Sequence, residues 1–318
     1  MKKYVTAAFM GALLAGTAMT TSASAATVGV AMAQFDDNFL TVLRNGMIDY
    51  AKTLPNVTLQ VEDGANDPNK QLSEIQNFVA AKVDAIVVNP VDTDATAAIT
   101  KLAADANIPL VYVNRQPVNL DSLPANQAFV ASNEKDSGTL ETQQVCKDLK
   151  AAGKTSASVY VMEGLLNNQS AQQRTQDVKD VLATPDCSFI KIIDTQTANY
   201  QRNDAQSLMS NWITAGTPFD GVIANNDEMA IGAIQAIKAA GQDPKALVIG
   251  GIDATQDGLA ALASGDLKVT VFQDAAGQGK GALDAALALA AGTKVDKEVW
   301  VPFQLVTPDN MANFTKKN

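Results

Sequence analysis

Amides, carboxylates, guanidinium groups and aromatic rings recur at the ends of the strands that the sequence predicts. Such groups donate hydrogen bonds to hydroxyls, accept hydrogen bonds from them, and cover the C–H faces of a polyol ring. They include no nucleophile paired with a base, so the pattern favours binding over catalysis. The alternative is ordinary structure, since Asn and Asp often cap helices and Phe39 could belong to a hydrophobic core. The positions are Asp36, Asp37, Phe39, Asn89, Asn114, Arg115, Tyr200, Asn226, Asp253 and Gln273.

The composition of the 318 residues excludes several kinds of chemistry. There is no histidine, which excludes Ser–His and Cys–His catalysis and imidazole metal ligands. Two cysteines cannot form a four-thiolate metal site. With 34 acidic and 24 basic side chains, the net charge is −10, and a negatively charged protein is not expected to bind the phosphates of nucleic acid. We therefore expect no metal, no cofactor, no nucleic-acid partner and no enzymatic activity.

The first 25 residues have the pattern of a secretion signal. Lys2 and Lys3 precede an uncharged apolar run over 5–19, and Ala23-Ser24-Ala25 forms a small-residue cleavage site. The alternative, a membrane anchor, is disfavoured because the run is shorter than the ~20 apolar residues that a spanning helix needs. Removal of the signal takes away two lysines and no acidic residue, which changes the net charge from −10 to −12. This short lysine-rich signal predicts export to a bacterial periplasm.

Predicted strands and helices alternate along the rest of the chain. The segment 84–89 (DAIVVN) is an almost uninterrupted apolar strand, as expected of a parallel sheet that is covered on both faces. The strands are too numerous for one small sheet, so we predict an α/β fold with two similar doubly wound parallel-sheet lobes. Ligands bind such sheets beyond the carboxyl ends of the strands, which is where the polar residues lie.

A glycine-rich segment over 277–282 suggests a competing function. It reads Gly-Gln-Gly-Lys-Gly-Ala and fits the G-x-G-x-x-A pattern that opens a helix in dinucleotide-binding folds. That pattern is expected after the first strand with an acidic residue ~20 positions later, whereas here it follows the last long strand. Close helix packing, or movement near a crossing between lobes, is the better interpretation of these glycines.

Cys146 and Cys187 enter an oxidising compartment if the chain is exported. Cys146 lies in a helical run and Cys187 just before a predicted strand, and their spacing alone does not fix the distance between them. A disulfide and a buried pair of free thiols both remain open at this stage.

Four segments resemble the periplasmic sugar-binding proteins of the ribose-binding type, and most closely the branch that binds inositol and rhizopine. The resemblance extends over essentially the whole mature chain, and the Tyr-Val-Asn-Arg-Gln-Pro stretch with Thr197-Ala198-Asn199-Tyr200 favours that branch. The segments are 84–94 (DAIVVNPVDTD), 108–116 (IPLVYVNRQ), 225–233 (NNDEMAIGA) and 250–258 (GGIDATQDG).

The resemblance assigns roles to particular side chains. Phe39 and Tyr200 match an aromatic clamp, and Arg115 and Arg174 match two arginines that donate to ring hydroxyls. Two departures argue against ribose: Leu40 stands where a second clamp ring is usual, and Asn114 replaces an Asp. Asp36 and Asp37 add negative charge, which would favour an aminated ligand such as a methyl-inosamine over neutral myo-inositol. The remaining matched hydrogen-bonding positions are Asn226, Asp253 and Gln273.

The resemblance also implies a ligand-gated receptor that delivers its cargo to an ABC-type permease in the inner membrane. The expected ligand is a cyclitol, either rhizopine or myo-inositol; ribose or another monosaccharide, with docking to a chemoreceptor, is the alternative. We expect a monomer of the type I periplasmic binding protein fold, with a hinge of three crossings. The expected first lobe is 26–132 with 274–303, and the second is 133–273 with 304–318.

Overall fold

The computed structural model describes residues 25–318, and all but the last residue of the expected signal peptide lies outside this range. Twelve strands and nine α-helices are found there. The strands are β1 (Ala26–Met32), β2 (Val57–Asp63), β3 (Ala85–Val88), β4 (Leu110–Val113), β5 (Gln127–Ala131), β6 (Ala157–Glu163), β7 (Ile190–Thr197), β8 (Gly221–Ala224), β9 (Val248–Gly250), β10 (Thr270–Phe272), β11 (Glu298–Trp300) and β12 (Gln304–Val306). The helices are α1 (Asn38–Thr53), α2 (Pro68–Ala81), α3 (Thr96–Asp105), α4 (Glu134–Ala151), α5 (Gln169–Leu182), α6 (Arg202–Thr214), α7 (Asp227–Ala239), α8 (Gln256–Ser264) and α9 (Ala275–Ala290).

The first lobe is built on a six-stranded parallel sheet in the order β11-β5-β4-β3-β1-β2. Strands β3 and β4 are buried along their whole length, as their continuous apolar sequences predict. Helices α1 and α9 cover one face of the sheet and α2 and α3 the other, so the core forms two apolar layers. This arrangement brings the carboxyl ends of β1, β3 and β4 to one edge of the lobe.

The second lobe contains a four-stranded parallel sheet in the order β7-β6-β8-β9. Helices α6, α7 and α8 pack on one face, and α4 and α5 pack on the other. Strand β10 pairs with β12 in an antiparallel ribbon, which meets the sheet through bridges at Gly250–Val269 and Asp253–Phe272. This ribbon is an exception to the all-parallel expectation.

The chain crosses between the lobes at three places. The crossings follow β5, β10 and β11, within 131–134, 272–275 and 300–304. The sequence predicted one extended piece near 300–305, whereas the structure divides it between β11 in the first sheet and β12 in the second lobe. We retain the expected lobe limits as our proposal, since 132, 273 and 303 fall within the crossings.

A disulfide holds α4 to the segment before β7, and a glycine allows close packing of α9 on α1. Cys146 on α4 and Cys187 before β7 form a disulfide with an S–S distance of 2.11 Å. In the glycine-rich segment, a Cβ at Gly279 would lie 2.8 Å from Cγ of Met47, so this glycine allows α9 to approach α1 closely.

Within residues 25–318, no helix is both long enough and apolar enough to cross a membrane.

Candidate ligand-binding site

A polar cavity lies between the two lobes, at the carboxyl ends of the strands. Its empty volume, which includes the solvent-open space at its mouth, is about 320 Å³. Nine of the eleven side chains singled out from the sequence line it. The lining residues are Asp37, Phe39, Leu40, Asn114, Arg115, Asn168, Ser170, Arg174, Tyr200, Asn226, Asp253 and Gln273.

The other two expected residues, Asp36 and Asn89, lie outside the cavity. Asp36 is exposed and lines a neighbouring groove, because the chain turns outward before α1 begins. Asn89 is fully buried beneath the cavity floor, where its amide donates to the carbonyl of Val113 at 3.2 Å and to Oδ1 of Asn114 at 3.3 Å. Asn89 therefore supports the side chain of Asn114 from below the cavity. Asp37 is the first-lobe carboxylate that lines the cavity.

Asp37 caps the amino end of α1. Its Oδ1 accepts a hydrogen bond from the backbone N–H of Leu40 at 2.8 Å, which satisfies one of the free donors of the first turn. Burial raises the pKa of the Asp37 carboxyl, although the hydrogen bond from Leu40 and the charge of Arg115 act in the opposite direction. The carboxylate therefore lies in a site where its negative charge is incompletely compensated.

Arg115 follows β4 and faces the cavity with its side chain almost wholly buried. Among the described residues it hydrogen-bonds only to backbone carbonyls, with Nη1 3.0 Å from the oxygen of Pro90 and 3.5 Å from that of Val91. Burial lowers the pKa of this guanidinium, and the nearby charge of Asp37 opposes that effect. Several N–H groups of Arg115 are therefore left for a ligand, since a guanidinium has five.

Arg174 on α5 is held very differently. Its Nε and Nη2 form a two-pronged ion pair with Glu134, at 2.8 and 3.1 Å, and Nη1 donates to the carbonyl of Asn225 at 2.6 Å. Nη2 also reaches Oε1 of Gln273 at 3.4 Å. Burial alone would lower the pKa of Arg174, but the combined effect of Glu134, Tyr200 and Asp253 outweighs it and the pKa is raised. Arg174 is therefore fixed by its own lobe before any ligand binds.

Two aromatic rings border the cavity, Phe39 from α1 and Tyr200 from the loop before α6. The hydroxyl of Tyr200 lies 3.2 Å from Oγ of Ser170. A Cβ at Gly164 would lie 2.1 Å from Cζ of Tyr200, so the ring rests directly against the backbone of this glycine. The glycine that follows β6 is thus required for the position of the ring.

The second lobe contributes one strained carboxylate and two amides. Asp253 has a φ of 117°, in the left-handed region that an Asp rarely adopts, and such conformations persist at sites where the surroundings enforce them. Burial raises its pKa well above the ordinary value, and Arg174, 4.0 Å away, opposes that effect. Asn226 caps α7 through the N–H of Met229 at 3.0 Å. Nε2 of Gln273 is buried and has no hydrogen-bond partner among the described residues.

The sequence reasoning missed Asn168, Ser170 and Glu134. Asn168 and Ser170 lie in the loop and first turn after β6, and they could have been found by extending the rule of polar strand ends past Gly164. The sequence gives no comparable indication for Glu134. Its role depends on the first crossing, which carries α4 beneath the cavity and brings its carboxylate to Arg174.

The two lobes touch each other on either side of the cavity. Oγ1 of Thr93 in the first lobe donates to the carbonyl of Asn167 at 3.1 Å and accepts from the N–H of Gln169 at 3.1 Å. On the other side, the amide of Asn38 donates to Glu228 at 2.6 Å. These contacts close the cavity, so the structure represents the closed arrangement of the lobes.

Comparison with known proteins agrees with this architecture. Residues 28–294 match the family model described as periplasmic binding protein domain. A Rhizobium meliloti protein named "Putative rhizopine-binding protein" is 59% identical over 318 residues, which is 100% of both chains. A solved ABC transporter solute binding protein from Bacillus halodurans, with bound myo-inositol, is 34% identical with a TM-score of 0.86, covering 94% of this chain and 100% of that one. The Caulobacter myo-inositol binding protein is 26% identical with a TM-score of 0.82, covering 92% and 96%.

The family match covers most of the chain, and the Rhizobium meliloti and Bacillus halodurans proteins are aligned over their whole length. The fold expected from the sequence, two α/β lobes of the type I periplasmic binding protein class, is confirmed. So is the expectation of a binding protein rather than an enzyme. The family match also implies a periplasmic location. The chain belongs to the periplasmic binding protein family.

Proposed function

We propose that this chain is the periplasmic receptor of an ABC importer and that it binds a cyclitol in the cavity between its lobes. The proposal is supported by the identity to the rhizopine relative and by the structural likeness to proteins that hold myo-inositol. The ligand contacts would come from both lobes, so binding would shift the open–closed equilibrium towards the closed form.

The observation that carries the proposal is the set of unsatisfied donors in the cavity wall. Nδ2 of Asn168 and Nε2 of Gln273 are both buried without a hydrogen-bond partner among residues 25–318. Within the same residues, Arg115 donates only through Nη1, which leaves its other N–H groups for a ligand. A buried donor without an acceptor costs about 1–3 kcal/mol, so such groups are expected where a ligand completes them. A ring that carries a hydroxyl on every side supplies acceptors in all of these directions.

The buried charges favour an aminated cyclitol over a neutral one. The positive groups in or directly behind the cavity are Arg115 and Arg174, and the negative ones are Asp37, Asp253 and Glu134. Burial raises the pKa of Asp253 well above its ordinary value, so a ligand ammonium would favour the ionised form of this carboxyl and would balance the one negative charge that is then in excess. A methyl-inosamine such as rhizopine carries that charge, whereas myo-inositol and ribose do not.

Asp37 is the carboxylate that we assign to the amine. It lines the cavity, while Asp36, the other carboxylate expected in this role, lines the neighbouring groove. A charge-assisted hydrogen bond of this kind contributes about 1.5–3 kcal/mol.

Several finer points belong to the same proposal. The chain would be exported with residues 1–25 removed, act as a monomer, and present its closed form to a permease in the inner membrane. The lobes would comprise 26–132 with 274–303 and 133–273 with 304–318. The site would contain Asp37, Phe39, Asn114, Arg115, Arg174, Tyr200, Asn226, Asp253 and Gln273, together with Asn168 and Ser170.

A thermal-shift screen tests the assignment of the ligand class. The mature protein is heated with myo-inositol, scyllo-inositol, an amino-cyclitol, ribose and galactose, since a ligand that binds the folded state raises the unfolding midpoint by mass action. We expect the cyclitols to raise the midpoint and the pentose and hexose to have little effect. The Arg115→Ala variant serves as the control, because it should lose the shift. A midpoint raised by ribose alone would contradict the proposal.

A further inference from the structure

The last residue of the sequence, Asn318, reaches the back of the ligand cavity. Its side-chain Nδ2 donates to the backbone carbonyl of Asp253 and to that of Gln273, each at 2.8 Å. Its Oδ1 accepts from the N–H of Ala275 at 3.4 Å. One amide therefore contacts the backbone of two residues that line the cavity and the first residue of α9.

The orientation of this amide follows from its partners. Two carbonyl oxygens can be satisfied only by the two N–H groups of the NH₂, which leaves Oδ1 for the backbone N–H of Ala275. The direct bond between the two cavity residues is weaker, with the N–H of Gln273 3.3 Å from the oxygen of Asp253. Asn318 thus completes a link that the backbone makes poorly on its own.

Asn318 is itself anchored in the second lobe. Phe314 is buried in the apolar core of that lobe, and its ring centroid lies 5.1 Å from that of Phe272. The ammonium of Lys317 lies 5.3 Å from the ring of Phe272, and the side chain of Gln256 donates to the carbonyl of Asn318. The amide is therefore held from the second lobe while it contacts the crossing that leads into the first.

The site of contact is the part of the cavity wall that most needs support. Asp253 and Ala254 both have positive φ values, 117° and 50°, although neither is glycine. Phe272–Ala275 is the crossing between β10 and α9, where a closing movement of the lobes must be absorbed. Contacts at this point influence both the direction of the Asp253 carboxylate and the angle between the lobes.

We propose that Asn318 is a positioning residue for the ligand site. Its amide clamps the backbone of Asp253, Gln273 and Ala275, and so fixes the positions of the cavity wall and of the second crossing that ligand binding requires. The inference rests on the proposed function, because it concerns the geometry of the same site.

Two substitutions test the clamp. Asn318→Ala removes the whole amide, and Asn318→Asp keeps its size but replaces the two donors by an oxygen that faces two carbonyls. Both variants should bind myo-inositol about tenfold more weakly in calorimetry, as expected for the loss of two hydrogen bonds. Lys316→Ala is the matched control, since this side chain is exposed and makes no hydrogen bond or ion pair in residues 25–318. It should bind as the wild type does.

Two further measurements separate positioning from general stability. The unfolding midpoint of the ligand-free variants should stay within about 2 °C of the wild type, since the lost bonds are partly exposed to water. Hydrogen exchange of the ligand-free protein should quicken only in 253–255 and 273–276. Wild-type affinity in Asn318→Asp, or exchange that quickens throughout the second lobe together with a larger fall in the midpoint, would overturn the proposal.

The exchange measurement needs no ligand. If the wild type fails to bind myo-inositol, the assignment of that ligand fails, and the exchange pattern alone decides on the clamp. Faster exchange confined to the two segments supports it, and unchanged exchange refutes it.

Discussion

Arg115 in the first lobe and Arg174 in the second face the same cavity, and both are buried, yet they are held in opposite ways. Arg174 forms a two-pronged ion pair with Glu134, and its pKa is raised. Arg115 bonds to backbone carbonyls of its own lobe, and burial lowers its pKa. One guanidinium is compensated within the protein, and the other has donors in reserve for a ligand.

This difference suggests that the two arginines, one in each lobe, contribute differently to stability and to ligand binding. A buried ion pair is costly to break, because removal of one partner leaves the other charge uncompensated. Arg174 should therefore matter for the stability of the second lobe as well as for binding, while Arg115 should matter for binding alone. The following variants separate these contributions.

The largest effect is expected from Arg174→Met. Glu134 and Asp253 would be left as buried carboxylates without their cation, at a cost of about 3–5 kcal/mol in the free energy of unfolding. Urea denaturation of the ligand-free protein measures this value. Adding Glu134→Gln should recover part of the loss, and a single variant as stable as the wild type would contradict the ion-pair account.

Arg115→Ala should weaken ligand binding about 100-fold, because the ring hydroxyls lose a charged donor worth a few kcal/mol. The free energy of unfolding should change by less than about 1 kcal/mol, since the lost hydrogen-bond partners are two backbone carbonyls and Arg115 forms no ion pair with Asp37 or another carboxylate of residues 25–318. Calorimetry and urea denaturation measure the two quantities. Arg115→Lys keeps the charge without the planar fork and should bind with intermediate affinity. Equal damage to stability in the Arg115 and Arg174 variants would remove the distinction between the lobes.

We expect the pH dependence of the free energy of unfolding to come mainly from buried carboxyl groups of the second lobe. Burial raises the pKa of Asp227 to about 7, despite hydrogen bonds from Thr270 and Thr255. A carboxyl whose pKa is raised in the folded state stabilises the protein fully below the unfolded pKa, near 4, and this contribution is lost as the pH rises through 7. The loss for one such group between pH 5 and 7 is about 2 kcal/mol. Asp227→Asn should flatten the profile measured by urea denaturation, and an unchanged slope would exclude Asp227 as its source.

Asp37→Asn tests the role of charge on the first-lobe side. Asparagine can still accept the hydrogen bond from Leu40, so the cap of α1 is preserved. Affinity for an amino-cyclitol should fall about tenfold and affinity for myo-inositol by less than about threefold, because only the former loses an ion pair. Calorimetric titration of both ligands measures the ratio. Equal losses would refute the assignment of the amine to Asp37.

Asn38→Ala should have the smallest effect. It removes the hydrogen bond to Glu228 across the cavity mouth, which is exposed to water. The ligand should dissociate about threefold faster, with little change in the association rate, because the contact exists only in the closed form. Stopped-flow measurement of the two rates checks this, and a slower association rate would contradict it.

The sequence predicted the fold better than it predicted the supporting contacts of the site. Apolar strands alternate with helices whose first residues are visible as caps, for example Asp67-Pro68 before α2, and these local patterns suffice to indicate the two lobes. The rule that ligands bind at strand ends brought eight of ten chosen residues into the cavity, and the family resemblance added Arg174. Asp36 lies outside the cavity because adjacent residues at a helix start point in different directions, and this one faces solvent.

The contacts that the sequence could not give are those made across long separations. Glu134 meets Arg174 only because the first crossing places α4 beneath the second sheet. Asn318 meets Asp253 only because the chain returns to the second lobe after β11. The spacing of the cysteines likewise left their pairing open, since it carries no information on how α4 packs against the segment before β7.

Calorimetric titration of the mature protein with an O-methylated amino-cyclitol, myo-inositol and ribose at pH 7 shows whether the cavity selects a charged cyclitol. We expect one ligand to bind per chain, with the amino-cyclitol tightest, myo-inositol at least about tenfold weaker and ribose weakest, since only the amine balances the charge of the buried carboxylates. Ribose that binds more tightly than either cyclitol, or a protein that binds neither cyclitol, would contradict this expectation.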